Sequence, residues 1–224
     1  MKKRTKLAAR ALPNYTTGEE IMNMITHIVG GGFGILVLLL CSAKAYLKHN
    51  TTGIVGAMIY GISMVSVYAV SSVYHGLHRS TAKKVMQIID HCFIYFLIAG
   101  TYTPIMLCAF IPQYPVVGWC LLAAEWFLGI AAATLTAIDL RLFRGVSMAC
   151  YILMGWGIIF FLPQAVQVLT PAGFAWLLAG GIAYTIGAIL FGLGVKIRWM
   201  HAIFHIFVVL GSALQFLAIL FYVL

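Results

Sequence analysis

Seven stretches of the chain, near residues 25–46, 53–75, 88–110, 115–136, 146–168, 172–194 and 200–223, are predominantly apolar. Each is long enough to cross the hydrocarbon core of a bilayer as a helix, which takes about 20 residues. Lipid offers no partner to backbone amides, so such runs fold as helices or as closed barrels. None of the seven alternates with period two, the pattern of a barrel strand. The expected fold is therefore all-α, a polytopic membrane protein built as a seven-transmembrane helix bundle. Only 8% of residues are charged, against about a quarter in soluble domains, which excludes a water-soluble globule. Short connections force antiparallel neighbours and divide the chain into a basic segment, 1–24, and a single transmembrane domain, 25–224.

The net charge of +9 is spread in small groups between the apolar runs. That distribution suits helix ends at a headgroup surface and argues against nucleic acid as a partner. Lys2, Lys3, Arg4, Lys6 and Arg10 in the tail, Arg79, Lys83 and Lys84, Arg141 and Arg144, and Lys196 and Arg198 all fall on one side. Only Lys44 and Lys48 fall on the other. Twelve cations against two predict a cytoplasmic N-terminus and an extracytoplasmic C-terminus in a plasma or inner membrane. The start, MKKRTKLAARALPNYTTGEE, has no apolar core before residue 25, so no cleaved signal peptide is expected. Cys41, Cys92, Cys108, Cys120 and Cys150 lie in apolar runs without CxxC spacing. They read as small core hydrophobes.

With this orientation the polar residues fall into a pattern. His75 ends the second span, Asp90 opens the third, and His201 and His205 open the seventh. At 1.5 Å per residue, counted from the nearest basic anchor, all four lie about 5 to 11 Å inside the same leaflet. Ionisable groups in a bilayer are costly unless they pair or coordinate. His201 and His205 are four apart and share a helix face, as do Ser71 and His75. Three imidazoles with one open position make a zinc site of the catalytic kind, and a nearby carboxylate would orient a water. Singly, each has a plainer reading: interfacial for the histidines, a helix cap for Asp90, packing for Ser71.

Several other residues stay open. His27 is either an outer-shell partner of the site or an interfacial residue. His78 and His91 are expected to point away, and His49 to be solvated. Glu19 and Glu20 either pair with the basic loops or face water. Asp139 caps its helix or pairs with Arg141. Glu125 stands mid-span and needs a partner or a proton. The GGGFG run at 30–34 is expected to allow close helix packing, and Pro104 and Pro163 to kink their spans.

SSVYH at 71–75, IDHCFIYFLIAGTYTP at 89–104 and HAIFHIFVVLGS at 201–212, with EEIMNMITHIVGG at 19–31, resemble the hemolysin III family. That bacterial group sits within the progestin and adipoQ receptor superfamily and is similar to the alkaline ceramidases. The resemblance runs from about residue 19 to 224 and implies seven helices and a cytoplasmic N-terminus. It implies Zn2+ held by His75, His201 and His205, with Asp90 hydrogen-bonded to the metal's water and Ser71 one turn before His75. The function expected first is zinc-dependent hydrolysis of a membrane-lipid amide or ester, linked to membrane-lipid homeostasis, with Asp90 and Ser71 as catalytic residues. The alternatives are a receptor-like lipid sensor with structural zinc and, from the family name, a cytolytic protein.

Overall fold

The computed structural model describes residues 5–224, so the tail cations Lys2, Lys3 and Arg4 lie outside the described residues. The chain is all-helical, with no strand among the described residues. Helix α1 spans Thr17–Leu47, α2 Thr51–Gly76, α3 Thr81–Ile105 and α4 Pro115–Asp139. After these come α5 at Arg144–Gly155, α6 at Leu162–Leu193 and α7 at Met200–Tyr222.

Local chemistry sets the starts. Thr16 and Glu19 form a capping box, each side chain holding the other's backbone amide. Asn50 Oδ1 accepts from the Gly53 amide at 2.8 Å, and Ser80 Oγ accepts from the Lys83 amide at 3.2 Å. Pro115 occupies the first turn of α4, where its missing N–H costs nothing. The first helix thus begins at its cap, well before the apolar run that starts near residue 25. Hydropathy marks the part of a helix in lipid, whereas hydrogen bonding decides where the helix starts.

Pro104 sits inside α3, which passes into a π-helical turn at Met106–Phe110 and ends in the short helix Ile111–Gln113. The widened turn absorbs the backbone group that proline frees. Pro163 behaves differently. It occupies the first turn of α6, after a 3-10 stretch at Gly157–Phe161. The sharp break lies further on, at Thr170, whose φ of 62° precedes Pro171.

Six helical stretches are long and apolar enough to cross a membrane, the fifth running 50 residues from Arg144 to Leu193 across that break. The chain is a multi-pass membrane protein. Its outer surface is apolar, with Phe127 at 72% and Phe160 at 75% exposure, while Asn23, Ser71, His75 and His205 are buried. Helix α1 packs along α2, α2 on α3, α3 on α4, and α6 on α7, which returns to α1. Cys41 is wholly buried in the core. Cys120 faces outward instead, because its position on α4 points away from the bundle.

The glycine run behaves as its spacing suggests on one face only. A methyl group on Gly30 would stand 2.8 Å from the Tyr68 ring, whereas Gly32 has nothing within 4 Å. The closest approach at a glycine between α1 and α2 is at Gly61, where a methyl group would lie 2.6 Å from Leu38 Cα. Backbone cannot yield as a side-chain tip can. Gly61→Val is expected to lower stability by about 1–3 kcal/mol through overpacking, read by thermal unfolding of the purified protein. Gly32→Ala should leave the transition in place.

Candidate metal centre

Two helix ends meet at the core of the site. Helix α2 contributes His75 from its last turn, and α7 contributes His201 and His205 from its first two. All three are buried, and their ligand atoms lie within 4.8 Å of one another. The two α7 histidines face one another Nε2 to Nε2 at 3.1 Å. That is close to the edge of a tetrahedron of nitrogens about 2.0–2.1 Å from a shared metal, which is about 3.3 Å.

The His75 ring is held from behind. Its Nδ1 lies 2.7 Å from Glu20 Oε2 and 3.3 Å from Asn23 Nδ2. The shorter contact, to a carboxylate, fixes the hydrogen on Nδ1. Nε2 is then left with its lone pair, and it is buried without a hydrogen-bond partner. An orphaned lone pair in a buried site, facing two further imidazole nitrogens, is what a metal ligand looks like before the metal is counted. The donor set fits zinc, with a carboxylate orienting one ligand ring from the outer shell. The other Glu20 oxygen accepts from Lys83 Nζ at 2.8 Å. Lys83 also donates to the His75 and Leu77 carbonyls, at 3.3 and 2.9 Å, and so ties the end of α2 to the start of α3.

Glu20 was one of the residues whose sequence reading stayed open, and it pairs. It does so on α1 with Asn23 and His27, at spacing i, i+3, i+7, one polar stripe on one helix face. That stripe is the sequence signal for the outer shell. His27 belongs to the same layer. Its ring stacks on His205 at 3.7 Å between centroids and meets Tyr68 edge-on at 5.0 Å. Both of its ring nitrogens are buried without partners. Tyr15, just before α1, stacks on His201 at 4.8 Å. Burial, and after it the Glu20 carboxylate, raises its pKa and keeps the phenol protonated. No sequence pattern singled Tyr15 out, because it comes from a segment without periodicity.

Asp90 stands apart from the ligand atoms and lines a cavity of about 170 Å³ together with Ser71, His201 and His205. His91 also lines this cavity, its Nδ1 at 3.7 Å from Asp90 Oδ2 and 2.8 Å from the Gln87 carbonyl. It therefore lines the site, against the expectation from helical phase, because the cavity takes in both Asp90 and its neighbour on α3. The remaining lining is mostly aliphatic and aromatic, from Ile94 and Leu97 near Asp90 to Tyr102 and Trp156 far along α3 and beyond α5. Glu19 and Asp139 have local duties: Glu19 Oε1 accepts from the Trp199 amide at 2.7 Å, and Asp139 accepts from the amides of Thr5, Arg141 and Leu142.

Comparison with known proteins places this arrangement. The family model described as "Haemolysin-III related" matches residues 15–216. Hemolysin-3 of Bacillus cereus is 42% identical over 206 residues, covering 92% of each chain. The chain belongs to the hemolysin III family. Its Bacillus subtilis relative, the Hemolysin-3 homolog, is 38% identical over 93% of this chain and 96% of its own. Human monocyte to macrophage differentiation factor is 28% identical over 91% of this chain and 84% of its own. For a hemolysin III family member, then, the buried His75, His201 and His205 form a cluster able to hold a metal ion.

Proposed function

We propose that this family member is a zinc-dependent intramembrane hydrolase of lipid amides or esters, acting in membrane-lipid homeostasis. One observation carries the reading: Asp90 and Ser71 line the same apolar cavity onto which His201 and His205 open. His75, His201 and His205 would hold the ion, and zinc bound there supplies a Lewis acid that polarises a carbonyl and acidifies water. The protein's own groups do the rest. Glu20 orients His75 through Nδ1. Asp90 takes a proton from the attacking water and returns it to the leaving nitrogen or oxygen as the acyl bond breaks. The Ser71 hydroxyl, which lines the same cavity as Asp90, donates to charge developing on the acyl oxygen. The aliphatic lining takes the acyl chain and keeps other water out.

The proposed setting is seven crossings with a cytoplasmic N-terminus, in the plasma or inner membrane, with the site in the cytoplasmic leaflet. The 50 residues from Arg144 to Leu193 would extend about 75 Å as one helix, more than twice the hydrocarbon thickness. The break at Thr170 supports reading them as two crossings. Twelve of the fourteen basic residues on one side support the orientation.

The test is release of free fatty acid by purified, zinc-loaded protein from a panel of lipid amides and esters. Asp90→Asn should lower turnover by about 10²–10⁴-fold with zinc still bound. A second reading, a lipid sensor with structural zinc, is favoured by the way the site ties α1, α2 and α7 together through Glu20, His75 and His201. Zinc at one per chain with no turnover on any lipid would select it. The cytolytic reading follows the name of the Bacillus cereus relative, and erythrocyte lysis by the same preparation tests it.

A further inference from the structure

Away from the histidines, at the end of the bundle where α2 meets α3, the N-terminal segment closes a second pocket. It is lined by Arg10, Ala11, Leu12, Arg79, Ser80, Thr81 and Lys84. Three of these side chains are cations and none is an acid. Their hydrogen bonds go to neutral carbonyls. Arg79 donates to Pro13 and Leu12 at 3.2 and 3.5 Å, Lys84 to Ala8 at 2.7 Å, and Arg10 to Ile138 at 2.9 Å. Arg10 Nη1 is buried with no acceptor among the described residues.

All five carboxylates of the chain are accounted for elsewhere. Glu19 serves Thr16 and Trp199, Glu20 serves His75 and Lys83, and Asp90 lines the cavity. Glu125 is buried mid-span. Asp139, one residue past Ile138, spends its oxygens on backbone amides. Three cations sharing a pocket without a counter-charge repel one another, and an anion relieves that repulsion. Arginine forks and a lysine match the oxygens of a phosphate. Ser80 and Thr81 add hydroxyls at the positive end of α3, a 25-residue helix.

We propose that Arg10, Arg79 and Lys84, with the Ser80–Thr81 start of α3, seat one phosphate group, carried by an anionic lipid headgroup or free in solution. Its place at the helix ends, beside apolar spans, puts a lipid phosphate within reach. Bound there, the phosphate clamps the N-terminal segment against α3, one residue from the Lys83 that holds Glu20.

The experiment is native mass spectrometry of the full chain from detergent micelles doped with phosphatidylglycerol or phosphatidylcholine, beside thermal unfolding with inorganic phosphate. The expected result is one retained phosphatidylglycerol per chain and no retained phosphatidylcholine. Arg10→Gln, Arg79→Gln and Lys84→Gln should each cut retention about fivefold, the worth of one cation near an anionic surface. Arg79→Lys, which keeps the charge should Arg79→Gln fail to fold, should lose less. Lys196→Gln, on another basic loop, should change nothing. Stabilisation by inorganic phosphate that vanishes in Lys84→Gln, without lipid retention, would uphold the seat and assign it to free phosphate. Equal losses with Lys196→Gln, or neither retention nor stabilisation, would overturn it.

Discussion

Glu20→Ala is expected to cost about 3–5 kcal/mol of stability, the usual effect of leaving a buried charge without its partner. Lys83 is 3% exposed, and Glu20 Oε1 at 2.8 Å is its ion-pair partner. Removing the carboxylate strands that ammonium between the His75 and Leu77 carbonyls, which can hydrogen-bond it without neutralising it. It also releases His75 Nδ1, so the ring loses the contact that sets its tautomer. Two separable effects follow. Stability should recover in the double variant Glu20→Ala/Lys83→Met, where no buried charge remains. Metal affinity should stay about 10–100-fold weaker in both, the typical effect of deleting an outer-shell partner. Denaturation in detergent reads the first effect, and metal competition against a chelator reads the second. Full recovery of both in the double variant would mean that Glu20 serves only Lys83.

His205→Ala should abolish stoichiometric metal binding. The side chain is 1% exposed, its Nε2 is 3.1 Å from that of His201, and His27 stacks on its far face. Losing an outer-shell group already costs 10–100-fold, so losing one of three ligands should cost at least about 100-fold. Wild-type protein with zinc at about 100 times its dissociation constant should gain about 2.7 kcal/mol of stability over the chelated form. His205→Ala should gain nothing from zinc. His27→Ala is the informative comparison, because it removes a ring packed on the site and spares the ligands. It should retain zinc while losing packing energy.

The core of the site was legible in the sequence because it obeys simple periodicities. Four-residue spacing puts His201 and His205 on one face, and the basic anchors put His75 in the same layer; the three rings do come together. The outer shell was harder to see. Glu20 precedes the apolar run, and a carboxylate near a helix start has a local explanation as a partner for the positive dipole end. Its contact with His75 joins residues 55 positions apart, which no local pattern reveals. Helical phase turns His91 away, yet the cavity is lined by more than one face of α3, with Asp90, His91 and Ile94 all on its wall. The proline breaks show a similar limit. Pro104 produced a π-helical turn, Pro163 started a helix, and the sharp turn fell at Thr170. A proline removes one donor wherever it stands, and the neighbouring helices decide how the chain absorbs the loss. Glu125 remains the residue whose burial, at 3% exposure with Oε2 unpartnered, exceeds any role its sequence position suggested.

X-ray absorption at the zinc edge of the purified wild-type protein tests the central claim most directly. The account predicts one zinc per chain with three imidazole nitrogens about 2.0–2.1 Å away and one further light-atom ligand. Protein free of zinc, or zinc bound through sulfur at about 2.3 Å, would contradict the assignment of His75, His201 and His205 as the metal site.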